Sequence, residues 1–271
     1  MSSQPVFIPQ PAAPSTLLAN PTAPTPIARP PQPVFASVED ERRHRKQKLA
    51  AAFRIFSKLG FQEGVMGHFS VRDPEKTDHY WANPYATDFG SIKASDLVLY
   101  NFDGQIVEGN TRFIHRGNTV LHIPILKTRP DVIAAAHTHS VHGRAWSSLG
   151  RLLDPLSAES SVFYQKHAIY DSYEHGEGYT LANAIGENRA LLLKNHGILT
   201  VGQSVDEAAY LFISMEKAAQ AQLLAEAVGT PQRINHQHAE EISQRFQPYI
   251  GWLNFQPMFQ SIVREQPDLL D

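Results

Sequence analysis

The chain contains no cysteine in 271 residues. Disulfides and thiolate metal sites are thereby excluded, so any transition metal must be held by His, Asp or Glu. No apolar run approaches the ~20 residues that a membrane-spanning helix needs. The N-terminus also lacks the charged-then-apolar order of a secretory leader, and a cytoplasmic protein is expected. Charge of one sign is scarce as well. Against 24 Lys and Arg stand 27 Asp and Glu, a net charge of −3, which gives no general attraction for nucleic acid or anionic lipid. The one dense basic stretch, ERRHRKQK at 41–48, reads as the polar side of a helix start. Neither nucleic acid nor membrane is expected as a partner.

A hydrophobic fraction of 42% is ample for a substantial core. Ten of the 19 prolines fall within residues 1–36, where alanine and proline recur without apolar period. Such a segment buries too little surface to offset its ordering entropy and is expected to be a disordered or polyproline-like arm. Beyond it, Ser37 and Asp40 form a capping-box pattern ahead of a helix whose apolar positions Leu49, Ala52, Phe53, Ile55, Phe56 and Leu59 keep helical spacing, and Gly60 ends it. Short strands are expected in GHFSVRD, HYWANP, DLVLYN and GQIVEG, then a helix in GNTVLHIPILKTRPD despite Pro124. Strand VIAAAH, helix SVHGRAWSSLG, strand HAIYD, a helix around GYTLANAIG and the strand pair ALLLKNHGILTVG follow. A second capping box, Ser204 with Glu207, opens the longest helix. Elements of both kinds alternate without repeat or linker, as in one α/β domain. The expected divisions are the arm at 1–36, a domain at 37–230, and an extension at 231–271 packing on the domain or on a neighbouring subunit.

Residues 134–143 read AAAHTHSVHG. On a strand, side chains two apart share a face, so His137 and His139 would stand side by side with Thr138 pointing away. Two imidazoles so placed suit either a solvated strand end or a metal. A third histidine, His196, follows the apolar strand LLL and the residues Lys194 and Asn195, before Gly197 turns the chain. Three imidazoles from two strand ends could converge on one face of a divalent cation and leave further positions open.

These two motifs, RPDVIAAAHTHSVHG at 129–143 and LLLKNHGILTVG at 191–202, resemble those of the class II aldolase/adducin superfamily, and GHFSVRDP at 67–74, NP at 83–84, SDL at 95–97 and Asn118 are closer to its adducin-like branch. The order of elements is similar too, with an amphipathic helix first, a glycine loop GVMGHFSVRD at 64–73, and a long late helix. The resemblance implies a three-layer α/β/α fold with a predominantly antiparallel central sheet, commonly assembled as a homotetramer with sites at subunit interfaces. It also implies zinc, or else iron or manganese, on His137, His139 and His196. The activity implied is that of a metal-dependent lyase that polarises a small carbonyl or 2-oxo acid substrate for carbon–carbon cleavage or decarboxylation.

Two departures from the family pattern bear on that activity. The family's sugar-phosphate aldolases carry a glutamate upstream of the paired histidines as metal ligand and proton-transfer group. Counting back from the shared RPD puts Asn118 at or beside that position, and asparagine cannot act as a base. His122 lies one helical turn beyond on the same face, where it would line the site or pack in the core; His115 and Arg116 are polar neighbours. In the glycine loop, Gly67 is followed by His68 where the aldolases have asparagine, so the usual phosphate cradle is not intact. Between the histidine motifs, Glu159, Tyr164, His167, Tyr170 and Tyr173 offer replacement acid–base groups. Glu159 stands near the position of the aldolases' proton-donating tyrosine and is the expected general acid/base. Two other functions compete: a mononuclear non-heme iron oxygenase, which would want a carboxylate such as Glu159 beside the histidines, and a non-catalytic adducin-like scaffold or cytoskeletal interaction protein.

Overall fold

A computed structural model describes residues 29–111, 113–171 and 181–271. The arm expected at 1–36 lies, as far as Ala28, outside the described residues, and so does Tyr173. Residues 35–271 form one compact unit.

The first helix, α1 (Val38–Lys58), starts where its cap chemistry dictates. The Ser37 hydroxyl accepts the Asp40 amide, Glu39, Asp40 and Glu41 face the positive end of the helix, and Lys58 sits at the negative end. Four strands follow: β1 (His68–Arg72), β2 (His79–Ala82), β3 (Val98–Asn101) and β4 (Ile106–Glu108). Helix α2 (Arg116–Thr128) carries Pro124 in its interior and leads to β5 (Ala134–Thr138) and the short helices α3 (Val141–Ser147) and α4 (Ala158–Ser161). Next come β6 (His167–Tyr170), α5 (Leu181–Ile185), and the hairpin of β7 (Ala190–Leu193) and β8 (Gly197–Gly202). The chain closes with α6 (Val205–Val228), capped by Ser204 on the Glu207 amide, then α7 (His236–Arg245) and α8 (Pro248–Glu265).

Among the described residues, one mixed sheet takes eight strands in the order β4-β3-β2-β1-β5-β8-β7-β6. β6 and β7 pair in parallel, and every other neighbouring pair is antiparallel. β5 lies at the centre, between β1 and β8, and all five of its residues are buried. Its alternate residues belong to different cores. Ala134 and Ala136 join the cluster formed with α1, α6 and α8, whereas Ala135 joins the one formed with α2 and α5. Alanine suits a strand covered on both sides, because it admits large neighbours. In the first cluster Phe53, Phe56, Phe61, Phe69 and Phe212 bring their rings within 5.0–6.1 Å of one another, mostly tilted or edge-on.

Residues 231–271 pack on this unit through α8, which lies against α6 and α1. Their far end is tied down as well: Arg54 pairs with Asp268, and the Ser95 amide donates to the Asp271 carbonyl. Among the described residues no helix is long and apolar enough to cross a membrane.

Candidate metal centre

His137 is the penultimate residue of β5, and β5 ends at Thr138, so His139 stands just beyond the strand rather than within it. His196 sits in the tight turn joining β7 to β8. That turn forces Asn195 to a φ of 57° and Gly197 to 154°. A side chain at Gly197 would come within 3.0 Å of the Thr138 carbonyl oxygen and 3.5 Å of His137 Cε1, so glycine lets the hairpin close on the end of β5. The three rings then lie 4.6–5.2 Å apart, centroid to centroid. One ligating nitrogen from each lies within 4.8 Å of the others.

The chemistry of these nitrogens fits a cation. His137 Nδ1 donates to the Ile198 carbonyl oxygen at 2.8 Å, which leaves Nε2 bare, and that Nε2 is buried with no hydrogen-bond partner among the described residues. Such a tautomer, locked by a backbone carbonyl, is what a metal-ligating imidazole requires. Burial, then the neighbouring His196, pushes His137 well below the usual histidine range; burial takes His139 down to about 4 and also lowers His196. All three are neutral near pH 7. Tetrahedral zinc with bonds of ~2.1 Å holds its ligand nitrogens about 3.4 Å apart. The nitrogens here, within 4.8 Å of one another, would draw closer on a bound cation.

Past His139 the chain is pinned by Glu216 of α6. Its carboxylate, 3% exposed, accepts from the Ser140 hydroxyl at 2.5 Å, the His142 amide at 2.9 Å, the Gly143 amide at 2.6 Å and the His142 ring at 2.9 Å. The first turn of α3, and with it the exit from His139, hangs on this one carboxylate.

The three histidines open on a cavity of about 470 Å³ whose walls include Val65, Met66, Tyr85, Val120 and Leu121, with Arg116 and His115 beside them. His68 is part of the same wall, and the sheet register explains why. It pairs directly with His137 across β1 and β5, with 5.0 Å between ring centroids. His68 Nδ1 lies 2.7 Å from His122 Nε2, and His122 Nδ1 lies 2.5 Å from Ser70 Oγ. Burial holds His122 down at about 3 and His68 well below its usual range, the latter lowered further by His122 and His137.

The expected site residues are thus distributed unevenly. His137, His139 and His196 meet. His122 is fully buried behind His68 and does not itself line the cavity. Asn118 is also fully buried, its amide oxygen and nitrogen both without hydrogen-bond partners among the described residues, and it too stays off the cavity wall. Glu159 is exposed in the first turn of α4, a helix packed against α6 and α7, and within one chain it does not border the cavity. Its own backbone amide and Ser157 lower its pKa, as suits a carboxylate at a helix start. Tyr164 bonds His236 at 2.9 Å, and His167 is a core residue satisfied by the Phe163 carbonyl and the Leu153 amide. Tyr170 lies on β6, at the far edge of the sheet. His68 and Glu216 are the residues that the sequence did not single out as part of the site. The only signal for His68 was its departure from the glycine-loop pattern.

Comparison with known proteins agrees with this geometry. Residues 47–223 match the family model described as the class II aldolase and adducin N-terminal domain. The chain is 36% identical over 245 residues to the decarboxylase NovR of Streptomyces niveus, covering 88% of this chain and 90% of that one. It is 35% identical over 244 residues to a 4-hydroxy-3-prenylphenylpyruvate oxygenase/4-hydroxy-3-prenylbenzoate synthase of Streptomyces roseochromogenus subsp. oscitans, covering 88% of each. Among solved structures, an L-fuculose 1-phosphate aldolase from Glaciozyma antarctica PI12 superimposes with a TM-score of 0.82 at 36% identity, over 89% of this chain and 96% of that one. The fold, the clustered histidines and these matches together establish that the chain belongs to the class II aldolase and adducin family.

Proposed function

We propose that this protein is a metal-dependent lyase that takes a 2-oxo acid or related carbonyl compound with a bulky apolar body and cleaves or decarboxylates it. The observation that carries the reading is the bare, buried Nε2 of His137, aimed with His139 and His196 at one side of the cavity. These three residues would hold the cation, zinc in the first instance and iron or manganese as alternatives. A bound cation supplies a Lewis acid that polarises a carbonyl oxygen. The chain's own residues supply the rest: apolar walls from Val65, Met66, Val120 and Leu121 exclude water from the substrate body, and Arg116 offers a charge for a carboxylate.

Those walls argue against a sugar phosphate, as does His68 in the altered glycine loop. They suit an aryl substrate, in keeping with the name of the Streptomyces roseochromogenus relative. A second reading, an iron-dependent oxygenase, is favoured by the name of one of them and opposed by the want of a carboxylate among the described residues of the cavity wall. A non-catalytic scaffold has little use for a locked histidine tautomer facing a cavity.

We also read the helices on the sheet as the family's three-layer α/β/α arrangement and the assembly as a homotetramer. Phe113 and Ile114, 72% and 49% exposed beside His115, together with Val65, Met66 and Val120 supply apolar surface of the kind a subunit interface covers.

The test is metal analysis of purified protein followed by assays with arylpyruvates and hydroxy-carbonyl compounds, with and without oxygen. Metal-dependent release of CO₂ or a cleaved carbonyl product, lost in His137→Ala, is the expected outcome. Stoichiometric oxygen uptake would move the assignment to the oxygenase. Full metal loading with no turnover of either substrate class would defeat both.

A further inference from the structure

β1 places His68 and Ser70 on one face of the sheet, and His122 of α2 lies against both. Ser70 is fully buried, and its hydroxyl has a single hydrogen-bond partner among the described residues, His122 Nδ1. A buried hydroxyl proton left without an acceptor is costly, so the proton points at that nitrogen. His122 Nδ1 therefore accepts, and the ring's own proton sits on Nε2. From there it donates to His68 Nδ1 at 2.7 Å. His68 Nδ1 accepts in turn, which fixes the His68 proton on Nε2. That atom has no partner among the described residues. It lies at the cavity wall beside Gly117, where an added Cβ would come within 2.6 Å of it.

We propose that His68 is the hydrogen-bond donor of this cavity, presenting Nε2–H to an oxygen of the bound substrate, with Ser70 and His122 as positioning residues that fix its tautomer. The proposal deepens the lyase reading and rests on it for the identity of the ligand. Asn118 stays off the cavity wall, and this chain offers a donor from the neighbouring strand instead. A donor favours an anionic ligand oxygen, whether a carboxylate or the carbonyl oxygen on which charge builds as a carbon–carbon bond breaks. A carboxylate on that wall would repel both.

The test reads the tautomers directly. Full-length, zinc-loaded protein labelled with ¹⁵N-histidine is examined by two-bond ¹⁵N–¹H correlation, with His68→Gln and His122→Gln spectra giving the assignments. We expect both His68 and His122 to carry the proton on Nε2, and Ser70→Ala to release a measurable share of His68 into the Nδ1–H form. A wild-type His68 protonated on Nδ1 with a bare Nε2 overturns the proposal. A second readout is the affinity of the zinc protein for phenylpyruvate. His68→Leu should weaken it about tenfold or more, with zinc content intact, and His68→Gln, which keeps a donor near the Nε2 position, should restore part of the loss. Unchanged affinity in His68→Leu also overturns it. If phenylpyruvate fails to bind the wild type, the substrate reading fails, and the tautomer result alone decides the role of His68.

Discussion

Removing the Glu216 carboxylate should unfasten the chain immediately after His139, and the size of the effect follows from its contacts. Four donors converge on its two oxygens, two of them backbone amides of α3. The fit is close: a Cβ on Gly143 would lie 2.9 Å from Ser140 Oγ and 3.0 Å from Glu216 Oε2. Hydrogen bonds to a charged group contribute about 1.5–3 kcal/mol each. They do not add, because the donors share one acceptor and relax together. Loss of one partner from a buried charged network costs about 3–5 kcal/mol, and that is the expected destabilisation in Glu216→Ala. Glu216→Gln keeps one accepting oxygen but turns an NH₂ toward donors, and should cost roughly 1–3 kcal/mol. Against a total stability of about 5–15 kcal/mol, the alanine variant remains folded in most of that range. Urea denaturation at pH 7.5 measures both. Because α3 leads straight from His139, competition titration with a zinc indicator should also show affinity weakened by about 10–100-fold, as for other groups that orient metal ligands. A midpoint shift in Glu216→Ala worth less than about 1 kcal/mol would refute the reasoning, since it would mean that the four contacts are readily replaced by water.

Three further outcomes are expected. His167, held by burial at about 4, binds its proton more weakly folded than unfolded; its contribution is complete above about pH 6.5 and is lost as pH falls toward 4, roughly 3 kcal/mol at about 1.36 kcal/mol per pKa unit. Denaturation between pH 7 and 4.5 should show this slope, and His167→Asn should lower it by about one proton. Gly117→Ala should lower thermal stability, because a Cβ there would lie 2.6 Å from Nε2 and 2.8 Å from Cδ2 of the buried His68 ring and must displace it; an undisturbed His68 resonance would contradict this. Deleting residues 1–36 should alter neither melting temperature nor zinc content, and a clear fall in either would assign the arm a structural role.

Much of this architecture could be read locally. Ser37 and Ser204 cap α1 and α6 because a hydroxyl ahead of an acidic first turn suffices to start a helix, whatever the tertiary setting. His137 and His196 were legible for a similar reason: each stands beside a short apolar strand whose end the sequence marks. What escaped is what depends on partners far along the chain. Glu216 acts 74 residues from His142, and nothing in the pattern of a long apolar helix distinguishes it from a surface carboxylate.

Asn118 and His68 illustrate the same limit at the site itself. Counting along the chain assigns Asn118 the family's carboxylate position, and that inference treats function as tied to one place on α2. In the folded chain the Asn118 side chain is buried with neither amide atom paired, while the polar group on the cavity wall comes from β1, across the sheet register from His137. The pairing of β1 with β5 is a contact between residues 69 apart in sequence, His68 and His137. It is fixed by the order of the whole sheet and not by any local signal. Losing a base at one position and gaining a donor at a neighbouring one are therefore separate readings in the sequence and adjoining parts of one wall in the structure. A site with asparagine at the carboxylate's place and an imidazole on the wall has no anion at either position to take up a substrate proton. It favours substrates that break a carbon–carbon bond by shedding CO₂ or another stable carbonyl fragment, with the charge left on an oxygen that His68 can meet.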